Sequence, residues 1–190
     1  MSTYTAFCDK QHLASGPAAE VALAAKTKLE NSPEASILMF DDESGRQVDF
    51  NVTGSAWEVA ARLAPAPEKP ASPRSPGRPK LGVVAREVTL LPRQWEWLNK
   101  QPGGASATLR KLVDAARNAG APRERMRQAQ AAADRFMMAT LGDQPGYEEA
   151  ARALYAGDER AFQTRIATWP KDLREHVERL ASPAFTAKPA

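Results

Sequence analysis

Along the first 64 residues the apolar and polar positions change period several times, and each change marks an element. Thr3 to Leu13 is rich in β-prone residues and reads as a strand. Pro17 to Leu29 places Val21, Ala22, Ala25 and Leu29 at helical spacing, and Ser36 to Phe40 returns to a short apolar run that reads as a second strand. Asp41 to Arg46 is turn-forming. Gln47 to Val52 reads as a third strand, and Gly54-Ser55 starts a helix through Trp57, Val59, Ala60 and Leu63. Then the pattern stops: Pro65, Pro67, Pro70, Pro73, Pro76 and Pro79 recur every two or three residues, which predicts a semi-extended linker over residues 65–82 with little capacity to pack.

Hydrophobic order resumes with Val83 to Leu91, a β-branched and aliphatic run that predicts a strand. Pro92 cannot donate to a ladder but suits the first turn of a helix, so a helix starts there with Trp95, Leu98 and Trp97 as its inner stripe. Gly103-Gly104 ends it, Ser106 is placed to cap a second helix, and Leu109, Leu112, Val113 and Ala116 recur at helical spacing within that helix. Beyond Pro122 the chain reads as helices over Arg123 to Leu141, Gly146 to Tyr155, Asp158 to Trp169 and Pro170 to Leu180. Phe136, Met137, Leu141, Leu154, Phe162, Ile166, Trp169, Leu173, Val177 and Leu180 are their expected core, with Met137-Met138 read as core filler. The expected architecture is α+β: a small N-terminal β-α-β-β-α module over 1–64, the linker over 65–82, a strand-helix-helix unit over 83–120, a helical bundle over 121–181, and a frayed tail over 182–190.

Net charge of +3 is modest, but its distribution is not. Residues 1–65 carry 5 basic and 9 acidic groups, residues 66–128 carry 13 and 5, and residues 129–190 carry 8 and 9. The positive charge therefore lies in the linker, the strand-helix-helix unit and the Arg123, Arg125, Arg127 run, the footprint expected of a surface that meets phosphates.

The string Gly104, Ser106, Leu109, Arg110, Leu112 resembles the second helix of the ribbon-helix-helix family of DNA-binding proteins, and residues 83–120 resemble its whole unit. That resemblance implies an obligate homodimer that shares an antiparallel β-ribbon, lays the ribbon in the major groove of double-stranded DNA, and grips a phosphate at the start of the second helix. With Leu91 inward, Arg86, Val88 and Leu90 face the groove; in the opposite phase Glu87 and Thr89 do, and both phases stay open because a register slip turns every side chain over. The reader is thus Arg86 or Thr89. Arg93 is expected at the DNA backbone, Ser106 at a phosphate, and Arg110, Lys111 and Arg117 as sources of diffuse attraction. Immediately upstream, Pro76-Gly77-Arg78-Pro79-Lys80 resembles the core of an AT-hook, which implies Arg78 and Lys80 in a narrow minor groove. The order of all these segments also resembles, over nearly the full chain, a family of uncharacterised bacterial proteins carrying a domain of unknown function.

Other chemistry finds little support. His12 and His176 are far apart, and neither has a nucleophile or metal partner nearby in sequence; His12 reads as a strand-end polar residue and His176 as an exposed helix residue flanked by charge. No H-E-x-x-H, Cys-x-x-Cys, Gly-x-Ser-x-Gly or phosphate-cradling glycine loop occurs, so no catalytic residue, cofactor or metal is assigned and the chain is not expected to be an enzyme. The single Cys8 excludes an internal disulfide and reads as a buried strand residue, and the Asp41, Asp42, Glu43 cluster reads as a solvated hairpin tip. Apolar stretches fall well short of a membrane span and no cationic leader precedes an apolar block, which predicts a cytoplasmic, nucleoid-associated protein without a membrane partner. The expected function is that of a DNA-binding transcription regulator. The alternative is a non-catalytic adaptor in which the basic linker is disordered and the helical hairpins bind a protein; a protein partner for the N-terminal module fits either.

Overall fold

The computed structural model describes residues 2–64, 84 and 86–186. The proline-rich linker lies outside the described residues. Two compact units result, one from residues 1–65 together with 121–190 and one from residues 66–120.

In the first unit a four-stranded antiparallel sheet has the order β2-β1-β3-β4, with β1 at Tyr4–Cys8, β2 at Gln11–Gly16, β3 at Ile37–Asp41 and β4 at Gln47–Val48. The expected single strand over Thr3 to Leu13 is thus a hairpin. The chain reverses at Asp9-Lys10, where Asp9 takes φ +56, a left-handed conformation that Asp tolerates better than most residues. The third expected strand is shorter than read: only Gln47 and Val48 pair, with Phe40 and Met39. Alternation along β1 and β3 sends Ala6 and Met39 to one face, where they pack with Val21 and Ala25 of α1 (Ala18–Asn31), and Phe7 and Phe40 to the other. That second face is covered by Phe136, Leu173, Val177 and their neighbours, so the stretches read as an N-terminal module and a C-terminal bundle share one core.

Helix α2 (Ala56–Leu63) begins with a capping box: Ser55 Oγ accepts from the Glu58 backbone N–H at 3.3 Å while Glu58 accepts from the Ser55 N–H at 2.7 Å. These bonds, the backbone one first, hold the Glu58 carboxyl below its ordinary range. Val59 is buried, whereas Trp57 is 77% exposed. Replacing Ser55 with Ala is expected to destabilise this unit by about 1 kcal/mol, read as a lower urea midpoint with unchanged slope.

The second unit contains α3 (Pro92–Asn99) and the first part of α4 (Gly104–Leu141). Helix α4 is continuous for 38 residues and holds Pro122 inside it, so the expected break between Gly120 and Arg123 does not occur. Proline removes one donor, and the flanking run rich in Ala and Arg keeps helical geometry on both sides. The remaining helices are α5 (Tyr147–Ala156), α6 (Glu159–Ile166) and α7 (Lys171–Thr186). Gly157, at φ +70, closes α5, and the next residue, Asp158, caps α6 by accepting from the Ala161 N–H at 2.9 Å. Helix α7 runs on through Pro183 to Thr186 with Ala184 buried, so the tail expected to fray from Ser182 is helical up to there. All ten residues expected in the bundle core are buried, Met137 included, but its neighbour Met138 is exposed. Cys8 is half-buried at the end of β1.

Candidate nucleic-acid interface

The residues expected to meet DNA fall in the second unit or in the linker. Arg78 and Lys80 lie outside the described residues. Arg86 and Thr89 are exposed on a coil segment that leads into α3: Arg86 to Leu91 form no strand in the single chain, which corrects the strand expected over Val83 to Leu91. None of the four described strands pairs with this segment, so its backbone groups have no ladder partner there. Pro92 then starts α3, with Leu91 as its extended N-cap residue; the Leu91 N–H donates to Gln94 Oε1 at 2.9 Å, so one of the backbone donors at the helix start is met by a side chain. Arg93 follows Pro92 in the first turn of α3 and is exposed.

Helix α3 stops at Asn99, and Gly103 and Gly104 both take positive φ, +87 and +73, in the turn to α4. Because α4 starts at Gly104, Ser106 is the third residue of its first turn and not the cap expected for it. It is exposed there beside backbone N–H groups that the helix leaves unpaired. Arg110, Lys111 and Arg117 are also exposed. By helical geometry Ser106, Arg110 and Arg117 lie within about 40° of one another around the axis, with Lys111 on another side. The arrangement therefore brings Ser106, Arg110 and Arg117 into one row. Among residues 86–120 there are six basic and three acidic side chains.

Beside that row lies the apolar stripe of α4, and it is not buried as expected. Leu98 of α3 is buried, but Trp97 is 50%, Leu112 48% and Val113 57% exposed, and Trp95, Val88 and Leu91 are exposed as well. Leu90, Arg93, Gln94, Trp97, Leu109 and Leu112 line a groove of about 280 Å³. Exposed apolar patches of this kind are common at interaction sites and ligand grooves. Sequence reasoning placed Trp97 and Leu112 in a core. Helical spacing names the apolar stripe without saying what, if anything, buries it.

Among the described residues no helix is long and apolar enough to cross a membrane, and no group of three His, Cys, Asp or Glu is placed to hold a metal ion. A family model described as "uncharacterized protein conserved in bacteria (DUF2239)" matches residues 3–181, and the chain belongs to that family. No curated protein and no solved structure matches it.

Proposed function

We propose that this member of an uncharacterised bacterial family is a DNA-binding protein, a transcription regulator that dimerises through residues 83–120. The observation that carries the reading is the pairing, on α3 and the start of α4, of an uncovered apolar groove around Trp97 and Leu112 with a flanking row of Ser106, Arg110 and Arg117. In this reading a second copy covers the groove and pairs its Val83–Leu91 segment with the same segment of the first, so that each supplies the other's backbone hydrogen-bonding partners. The paired segments enter the major groove and present Arg86 or Thr89, according to phase. Ser106 and the adjacent N–H groups of α4 hold a phosphate, where the positive end of the helix dipole favours an anion. Arg93, Arg110, Lys111 and Arg117 add phosphate contacts, and Arg78 and Lys80 enter the adjacent minor groove.

The test is fluorescence anisotropy with random-sequence and A·T-rich duplexes over a salt series, with the solution mass measured alongside. The expected result is a dimer whose affinity falls about a thousandfold between 50 and 200 mM salt, as for roughly six phosphate contacts. Lys111→Ala is expected to weaken all sequences alike and to lower the salt slope by about one per protomer, whereas Arg86→Ala or Thr89→Ala changes sequence preference. A monomer that ignores DNA at low salt would sink the reading and leave the groove to a protein partner.

A further inference from the structure

A second cluster of functional groups lies in the first unit, apart from the proposed DNA contacts. His176, expected to be an exposed helix residue, is 1% exposed. It sits on the inner face of α7 with Leu173, Val177 and Leu180, its ring against Phe7 and Phe136 at centroid distances of 5.3 and 4.5 Å. Neither of its ring nitrogens has a hydrogen-bond partner among the described residues. Buried nitrogens are rarely left so, because they give up water and gain nothing in return.

The surroundings show what is placed to meet them. His176 lines a pocket of about 280 Å³ between the β3–β4 turn, α4 and α7, with Asp42 and Glu43 on the turn, Arg125 on α4 and Arg179 on α7. Asp42 does not point freely into solvent, as a solvated hairpin tip would. Its Oδ1 accepts from Thr5 Oγ1 at 2.8 Å and lies 3.8 Å from His176 Nε2, too long for a hydrogen bond. Thr5 is itself fully buried and bonded to Ser15 Oγ at 2.9 Å, and Ser15 to His12 Nε2 at 2.7 Å. Because Thr5 gives its proton to Asp42, it accepts from Ser15, and Ser15 in turn accepts from the Nε2–H of His12. This chain fixes the carboxylate beside the imidazole. On the other side, Arg125 and Arg179 form no ion pair among the described residues. Burial and the Arg179 charge, opposed by Asp42 and joined by His12, keep the ring neutral at pH 7, with a pKa pushed down to about 4. A neutral imidazole offers one N–H donor and one acceptor, and two guanidiniums offer forked donors.

We propose that this pocket binds a small oxyanion, a carboxylate or phosphate group, held by Arg125 and Arg179 with the buried His176 as its hydrogen-bonding wall. Guanidinium groups match the planar and tetrahedral oxygens of both anions, and the low polarity around Phe7 and Phe136 strengthens a hydrogen bond to the buried His176. A larger cleft of about 670 Å³ shares Glu43 and Gln128 with this pocket and carries Arg46, Arg127 and Arg135, so a ligand bearing such a group has room to extend. The site would make the protein responsive to a small metabolite, and it stands whether or not residues 83–120 bind DNA.

The test is NMR of the two imidazole rings in the full chain at pH 7, titrated with inorganic phosphate or acetate against chloride at equal ionic strength. The expected result is a saturable shift of the His176 resonances, assigned by their loss in His176→Gln, with His12 little changed. The Arg125→Gln/Arg179→Gln double variant alters two exposed side chains, and its unchanged His12 signals would show that the fold is kept. In that variant the apparent phosphate affinity is expected to fall at least about tenfold. No response beyond that to chloride would overturn the proposal and leave the pocket to water, and so would an equal response in the double variant.

Discussion

Gly45→Ala is expected to destabilise the first unit by about 2–5 kcal/mol, a large fraction of the stability of a domain this size. Two effects act together. Gly45 has φ +66, where an L side chain brings its Cβ against its own backbone. The added carbon would also stand 2.0 Å from the carbonyl oxygen of Ala132, a buried position of α4 that cannot yield without moving the helix. Ser44 O accepts from Arg135 Nη1 in the same contact, and Asp41 Oδ1 holds the turn by accepting from the Ser44 N–H at 2.7 Å. Relief therefore requires the turn to lift from α4 and open the pockets on either side of it. Urea unfolding followed by tryptophan fluorescence measures the effect; a midpoint within error of wild type would show that the turn does not pack on α4 as described.

Acidification is the second large effect. His176 has a folded pKa near 4 against an ordinary value of 6.5, because burial and then Arg179 disfavour its charged form. Between these values the unfolded chain binds a proton that the native protein refuses, so stability falls as pH drops through this window. The shift corresponds to a loss of roughly 3 kcal/mol between pH 7 and pH 4 from this one residue. In His176→Phe, which keeps an aromatic ring between Phe7 and Phe136, the dependence between pH 6.5 and 4 is expected to flatten, and only carboxylate titration remains at lower pH. Chemical denaturation at half-unit pH intervals reads both slopes. Parallel curves for the two proteins would place the acid sensitivity elsewhere.

His176 also shows where sequence reasoning stopped. Leu173, His176, Val177 and Leu180 are spaced i, i+3, i+4 and i+7, so the histidine lies on the apolar stripe of α7; the charges at Arg174, Glu175, Glu178 and Arg179 drew it to the wrong face. Elements marked by backbone chemistry were legible: Ser55 and Asp158 as caps, Pro92 as a first-turn residue, and the core of the C-terminal helices. The reversal at Asp9-Lys10 was not, because it has neither glycine nor proline, and the continuity of α4 through Pro122 was not, because proline is an unfavourable but tolerable helix residue. The phase of Val83 to Leu91 was undecidable for a different reason: period-2 alternation names two faces without saying which is inside. Exposure of Arg110, Lys111 and Arg117 was legible from their place outside the apolar stripe. What no periodicity carries is the pairing of Phe7 and Phe40 with Phe136, a contact between positions about a hundred residues apart.

That pairing has a consequence for how the protein is made. The sheet leaves the ribosome before the helices that cover the face bearing Phe7 and Phe40 have been synthesised. Leu173 and Val177 are translated some 130 residues after Phe40, which at typical bacterial rates of elongation is on the order of ten seconds. For that interval the nascent chain holds a hydrophobic sheet face open to solvent and to chaperones, and a message truncated after residue 120 would yield a product that can never close it.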